Sequence, residues 1–184
     1  STALVVGNPN GALRWQAIPI GFEFLGETVT SGSQSTATVS NLTAKNNLLI
    51  VVDIPSVSAG GAPALRFNCC GSAEYFHSHI LASSTESGAQ NTDRIVLSQQ
   101  ASNLGRHHYT ISVDNSSGVN KLGDWIGSAM GFAGYPVTIH GAGFWASTTP
   151  SQITEVNIIA NGPAGQPTNT FGSGVRVTVY GSKN

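Results

Sequence analysis

His77-Ser78-His79 is the one place in this chain where two imidazoles stand two residues apart. On a β-strand such residues point to the same face, so both rings could reach one metal ion. A zinc site needs further ligands, and the nearest cysteines, Cys69 and Cys70, precede a turn on a different strand. Neither C-x-x-C nor H-E-x-x-H spacing is present, so His77 and His79 are read as ordinary strand histidines. His107 and His108 are adjacent, point to opposite faces of any strand, and cannot chelate together; one of them is expected to be exposed. His140, within "TIHGAGFW", is a candidate for a hydrogen-bonded core residue.

The remaining reactive side chains form no motif. A Ser-His-Asp site is assembled in space and leaves no fixed spacing, but there is no G-x-S-x-G elbow and no paired-carboxylate motif. The carboxylates form no D-x-[DN]-x-[DN]-G calcium loop, and "GAGFWA" lacks the third glycine and helix of a dinucleotide site. The expectation is a protein that is not an enzyme, with no catalytic residue, metal or cofactor. A bridge between the adjacent Cys69 and Cys70 would close a strained ring, so free thiols are expected. Trp125 and Trp145 have two readings, a sugar-binding surface or the core, and core packing is the commoner fate of Trp. Asn41-Leu42-Thr43 and Asn115-Ser116-Ser117 match the glycosylation acceptor, which matters only in a secreted eukaryotic protein.

These side chains sit in a chain of 184 residues, a length that suits one domain with a real core. Charged residues make up only 9%, against ~25% in ordinary soluble domains. Ser, Thr, Asn, Gln and Gly must therefore cover the surface, as in lectins, fibres and virion shells. Eight basic residues and a net charge of −1 do not supply the basic patch that nucleic-acid binding needs. No apolar run approaches a membrane span, and "STALVVGNPNG" does not read as a signal peptide.

Residues 1–21 read as an extended N-terminal arm, in which "GNPNGALRWQAIPIG" mixes turn formers with Trp15, Ile18 and Ile20 without a steady period. Those three apolar residues are the candidate assembly contacts. Residues 22–184 read as one domain of strands and turns. Strands are expected at 35–43, 46–57, 64–68, 74–81, 93–99, 107–115, 135–146, 153–161 and 174–181. In "HHYTISVDN", Tyr109, Ile111 and Val113 face one way and Thr110, Ser112 and Asp114 the other; Val175, Val177 and Val179 share a face of the last strand. "GDWIGSAMGFAG" (123–134) is ambiguous, although its glycines argue against helix. About nine strands point to an all-β fold: a single antiparallel β-sandwich of jelly-roll type.

Several segments, in order, resemble a β-sandwich domain of tailed-phage virion proteins. "VSNLTAKNNLLIVVDIPS" is similar to that family's "f-x-n-I-p-x-x-y-x-x-L-x-i-x" opening. "ALRFNCCGSAEYFHSHIL" is similar to its "l-x-l-R-F-N-g-D-x-x-x-N-Y-x-x-H-x-L" block through Arg66, Phe67, Asn68, Tyr75, His79 and Leu81. "HHYTISVDNSSGVNK" resembles "I-x-n-Y-x-x-x-x-k" through Ile111, Asp114, Asn115 and Lys121. The ending resembles the family's through Trp145, Ile153, Val156, Phe171, Gly174, Val179, Tyr180 and Gly181. Departures are Cys69-Cys70 in place of Gly-Asp, a Tyr-to-His spacing one residue longer, and "VYG" for "LYG".

The resemblance implies a structural virion protein without catalysis: a capsid decoration or minor capsid protein, or a tail or head-fibre component. It would be made in the host cytoplasm and carried on the virion. Its implied partners are its own copies, as a homo-oligomer and first of all a trimer, and the major capsid protein or another virion protein. Neither nucleic acid nor membrane is expected as a partner. Composition and the tryptophans keep a second class open, a lectin-like jelly roll binding a host glycan. "ALRFN" and "EYFHSHIL" read as neighbouring strands joined by a tight Cys-Cys-Gly-Ser turn, and a buried Arg66 would need a carboxylate or carbonyl partner.

Overall fold

The structure, a computed structural model, describes residues 2–6, 13–17, 21–58, 61–68, 75–81, 87–98, 105–130, 136–147, 151–161 and 169–183. For 2–6, 13–17, 79, 81, 87–91 and 161 the backbone alone is described. The described residues hold no helix and fourteen strands. In chain order these are β1 (Thr2–Val6), β2 (Leu13–Ala17), β3 (Glu23–Val29), β4 (Thr36–Val39), β5 (Asn47–Ile54), β6 (Ala62–Phe67) and β7 (Tyr75–Leu81). There follow β8 (Ser87–Thr92), β9 (Ile95–Val96), β10 (His107–Asp114), β11 (Lys121–Met130), β12 (Pro136–Trp145), β13 (Val156–Asn161) and β14 (Arg176–Ser182).

Twelve of them build two antiparallel sheets, ordered β3-β14-β5-β10-β11-β12-β7-β8 and β4-β13-β6-β9, which form a sandwich around one core. The all-β sandwich is as expected; it has twelve strands rather than nine because β3, β8 and β11 were not read as strands, and neither were β1 and β2 outside it. β5 alternates through its length, with Leu48, Ile50, Val52 and Ile54 buried, and lies between β14 and β10. β10 alternates as read, and Val175, Val177 and Val179 are all fully buried. β1 and β2 pair with each other as a separate two-stranded sheet, in register Leu4↔Trp15 and Val6↔Leu13. Each is only five residues long, too short for its period to stand out in sequence. Trp15 therefore stands in a paired strand, while Ile18 and Ile20 lie outside the described residues.

β6 and β7 are not the neighbouring strands expected, because they belong to different sheets. Phe67 and Tyr75 both point into the core, so the two strands face each other across it. The Tyr75 hydroxyl receives a hydrogen bond from Phe67 N at 3.0 Å and donates to Phe67 O at 3.3 Å. Seven intervening residues can span ~23 Å, ample for the ~10 Å between packed sheets. The Cys69-Cys70 pair lies in that link, outside the described residues.

The ambiguous 123–134 stretch begins inside β11, and its glycines have a packing role. Gly127 is the register partner of Tyr109, and Gly141 on β12 is the partner of Trp125. A Cβ at either position would run into the facing aromatic ring. The rings lie over the bare backbone, a known device for filling a strand glycine. Gly141→Ala should therefore cost about 1–3 kcal/mol, the usual range for overpacking, and lower Tm by several degrees. A variant melting with the parent would show that the Trp125 ring moves aside freely.

Candidate functional site

His77 is buried on β7 opposite Gly143, and the side chain of His79 lies outside the described residues. Among the described residues, no group of three or more His, Cys, Asp or Glu side chains comes together. His107 is buried and His108 exposed, as adjacency on a strand requires. His140 is not a core residue: Ile139 takes the inward position on β12, so His140 is turned out and exposed. Trp125 and Trp145 are both core residues. The Trp125 indole donates to Leu97 O at 3.1 Å, and Trp145 stacks on Tyr75 with ring centroids 6.1 Å apart. Arg66 is half-buried rather than buried, its side chain 26% exposed, and it has both kinds of partner: Nε donates to Asp93 O at 2.9 Å and Nη2 pairs with the Asp93 carboxylate. Burial alone would raise the Asp93 pKa, but hydrogen bonds and charge from Arg94 and Arg66 hold it below its ordinary value.

The residues shared with the phage-family pattern act as pins. Asn68 adopts a left-handed conformation (φ 50°), and its Oδ1 accepts Thr154 N at 2.8 Å and Glu155 N at 3.1 Å. Asn115 is fully buried; its Nδ2 donates to Lys45 O at 2.8 Å and its Oδ1 accepts Ile153 N at 2.7 Å. Asn115 is thus no glycosylation acceptor in the folded chain, whereas Asn41 is exposed. Lys121, also buried, donates to Ser116 O at 2.5 Å and Val119 O at 2.6 Å and so closes the β10–β11 turn.

Two arrangements on the outward face of the eight-stranded sheet remain as candidate sites. In the first, Asp53, His108 and Ser128 stand side by side on β5, β10 and β11. His108 Nδ1 lies 2.8 Å from Asp53 Oδ1, and a depression of about 330 Å³ bordered by Arg106 and Met130 adjoins them. This row has the order of a hydrolytic triad. However, no hydrogen bond joins Ser128 to His108 among the described residues, and His108 is 45% exposed. The basic ring is solvated rather than enclosed with the hydroxyl, so the row does not form a nucleophile.

The second arrangement is apolar. On β7, β12 and β11 the outward rows read Phe76–Phe144–Leu122, Ser78–Ala142–Asp124 and Ile80–His140–Ile126. Leu122 is 60% exposed, and Ile126 and Ile80 are each 50% exposed. Phe76 and Phe144 touch with ring centroids 6.0 Å apart, beside a shallow depression of about 260 Å³. No helix covers this face among the described residues. Exposed apolar side chains gathered on one sheet face, here interspersed with Ser78, Asp124 and His140, are a mark of an interaction surface. Sequence reading missed it because 123–134 was ambiguous. Read as a strand, β11 carries apolar residues in both phases: Trp125 and Ala129 inward, Leu122, Ile126 and Met130 outward.

No family model, no curated protein and no solved structure matches this chain.

Proposed function

We propose that this chain is a structural subunit of a tailed-phage virion, a capsid decoration or minor capsid protein that stabilises the shell through self-association and lattice contacts. The observation that carries the reading is a sheet face that no helix covers among the described residues, where Phe76, Ile80, Leu122, Ile126 and Phe144 gather around Ser78, Asp124 and His140 on a chain with 9% charged residues. Such a surface suits permanent contact with neighbours more than free diffusion. The residues that resemble the phage family add support, because Arg66, Asn68, Tyr75, Asn115 and Trp145 are pins and core of the sandwich. A family recognised through such residues shares a scaffold, as particle components do. A tail or head-fibre module would use the same surface chemistry. A host-glycan platform loses Trp125 and Trp145 to the core. The trimer implied by the resemblance is the assembly we propose.

Particles purified through a density gradient from cells producing the protein provide the test. The protein should co-sediment with the particles, and a labelled antibody should decorate the shell in a regular pattern. Protein left at the top of the gradient, with unlabelled particles, would overturn the reading.

A further inference from the structure

We propose that the outward face of β11, β12 and β7 is a self-complementary contact, through which two copies of this chain pair about a two-fold axis running along β12. The inference deepens the assembly reading above and rests on it for its setting. In the folded chain, its β1–β2 hairpin included, Leu122 is 60% exposed and Ile80 and Ile126 50% each, so the chain's own hairpin leaves this face open.

The face carries its own complement. In rows running β11–β12–β7 it reads Leu122–Phe144–Phe76, Asp124–Ala142–Ser78 and Ile126–His140–Ile80. Each position on β11 matches its counterpart on β7: apolar with apolar in the first and third rows, carboxylate with hydroxyl in the second. Two sheets packed face to face keep their strands within about 30° of each other. A two-fold axis lying between two copies must therefore run nearly along the strands or nearly across them. Along β12, it sets Leu122 of one copy against Phe76 of the other and Ile126 against Ile80. It also brings Asp124 to the Ser78 hydroxyl, which can donate to the carboxylate. Phe144, Ala142 and His140 meet their own mates on the axis.

Other axes through the patch fail at Asp124 or leave β11 bare. Run across the strands, the axis keeps β11 opposite β11 of the other copy, so Asp124 faces its own mate, Leu122 or Ile126. The first opposes two like charges and the others bury a carboxylate without a donor, all of them costly. An axis along β11 again opposes the two Asp124 carboxylates. One along β7 leaves β11 beyond the edge strand β8 and uncovered. A second copy placed along β12 already carries the surface that this face requires.

Five strands, β10 to β8, overlap in this arrangement, a breadth of about 24 Å at ~4.8 Å per strand. The three rows span roughly 20 Å along the strands, so the contact buries on the order of 1,000 Å² over both copies. That is the threshold of a specific pair and below the ~1,600 Å² of a standard one. Isolated copies should therefore exchange between free and paired forms with concentration, and a lattice that gathers them would hold the pair.

Charge exchange on the full chain tests both the partner and the register. Ile126→Lys and Ile80→Glu, each alone, set a charge against an isoleucine and should weaken association at least tenfold in sedimentation equilibrium. Mixed, the two variants can oppose lysine to glutamate at one of the two equivalent contacts and isoleucine to isoleucine at the other. The mixture should recover most of the parent's association. Both positions are exposed, so each variant should keep the parent's Tm. A mixture no more associated than either variant alone would overturn the proposal. So would an association that neither variant weakens, or a parent that stays monomeric up to its solubility limit, as a chain whose own hairpin covers the face must. The measurement uses isolated protein, so its failure leaves the particle test standing, and the reverse is also true.

Discussion

Acidification from pH 7 to pH 4 is expected to remove about 3 kcal/mol of folding stability through one residue, His107. Its ring is fully buried and stacks on Tyr109, with Nδ1 3.1 Å from the Tyr109 hydroxyl. That hydroxyl also bonds Ser98, and burial pushes the Tyr109 phenol up, so it stays neutral at any ordinary pH. His107 Nε2 is buried and has no hydrogen-bond partner. Protonation would therefore place a charge in the core, with an Nε2–H that nothing accepts.

Burial accordingly lowers the His107 pKa from its ordinary 6.5 to about 4. Between these values the unfolded chain binds a proton that the folded domain refuses, so unfolding is favoured as pH falls. The stability tied to neutral His107 is fully present above about pH 6.5 and is lost progressively down to about pH 4. Asp93 and Asp114 are held below their ordinary pKa, Asp93 by Arg94 and Arg66 against burial and Asp114 chiefly by Ser116. Their losses fall at more acid pH, outside this window. Urea unfolding at pH 7, 5.5 and 4 should show the decline in the parent protein, and His107→Leu should flatten most of it. Equal slopes in parent and variant would place the acid sensitivity elsewhere.

Asn115→Ala should destabilise the domain by roughly 3–4 kcal/mol, the sum of buried polar groups left without partners. Three segments meet at this side chain. Its Nδ2 reaches the carbonyl of Lys45, just before β5, and its Oδ1 holds the N–H of Ile153 on the approach to β13. Its own backbone N–H donates to Asn46 O at 2.6 Å, and its carbonyl accepts from Gln152 Nε2 at 3.2 Å. β5 and β10 belong to one sheet and β13 to the other, so this one amide ties the two layers together. Water cannot readily replace it, because Asn115 and Ile153 are both fully buried. Asn115→Asp keeps the shape but turns an oxygen toward the Lys45 carbonyl, so it should be at least as damaging. Urea midpoints of the two variants provide the check, with Asn41→Ala as an exposed control expected to lie within about 0.5 kcal/mol of the parent. An Asn115→Ala midpoint equal to that control would mean that the pin carries no stability.

Much of the secondary structure was legible because alternation is a local property. Tyr109, Ile111 and Val113 announce one buried face without reference to any other segment, and so do Val175, Val177 and Val179. Adjacency sent His107 and His108 to opposite faces. Asn115 was legible only as part of a resemblance, since its hydrogen-bond partners lie 70 and 38 residues away.

By itself, then, the sequence determined an all-β chain with a low-charge surface, the phase of its clearest strands, and the absence of any recognisable catalytic motif. Tertiary structure alone decided which strands became neighbours. It sent β6 and β7 to opposite layers, laid Trp125 over Gly141, and turned His140 to solvent between Ile80 and Ile126. The physical reason is that the two-residue period of a strand says which side chains share a face and nothing about which strand lies beside it. Pairing is settled by contacts between distant segments, and the apolar patch exists only because that pairing aligns β7, β12 and β11.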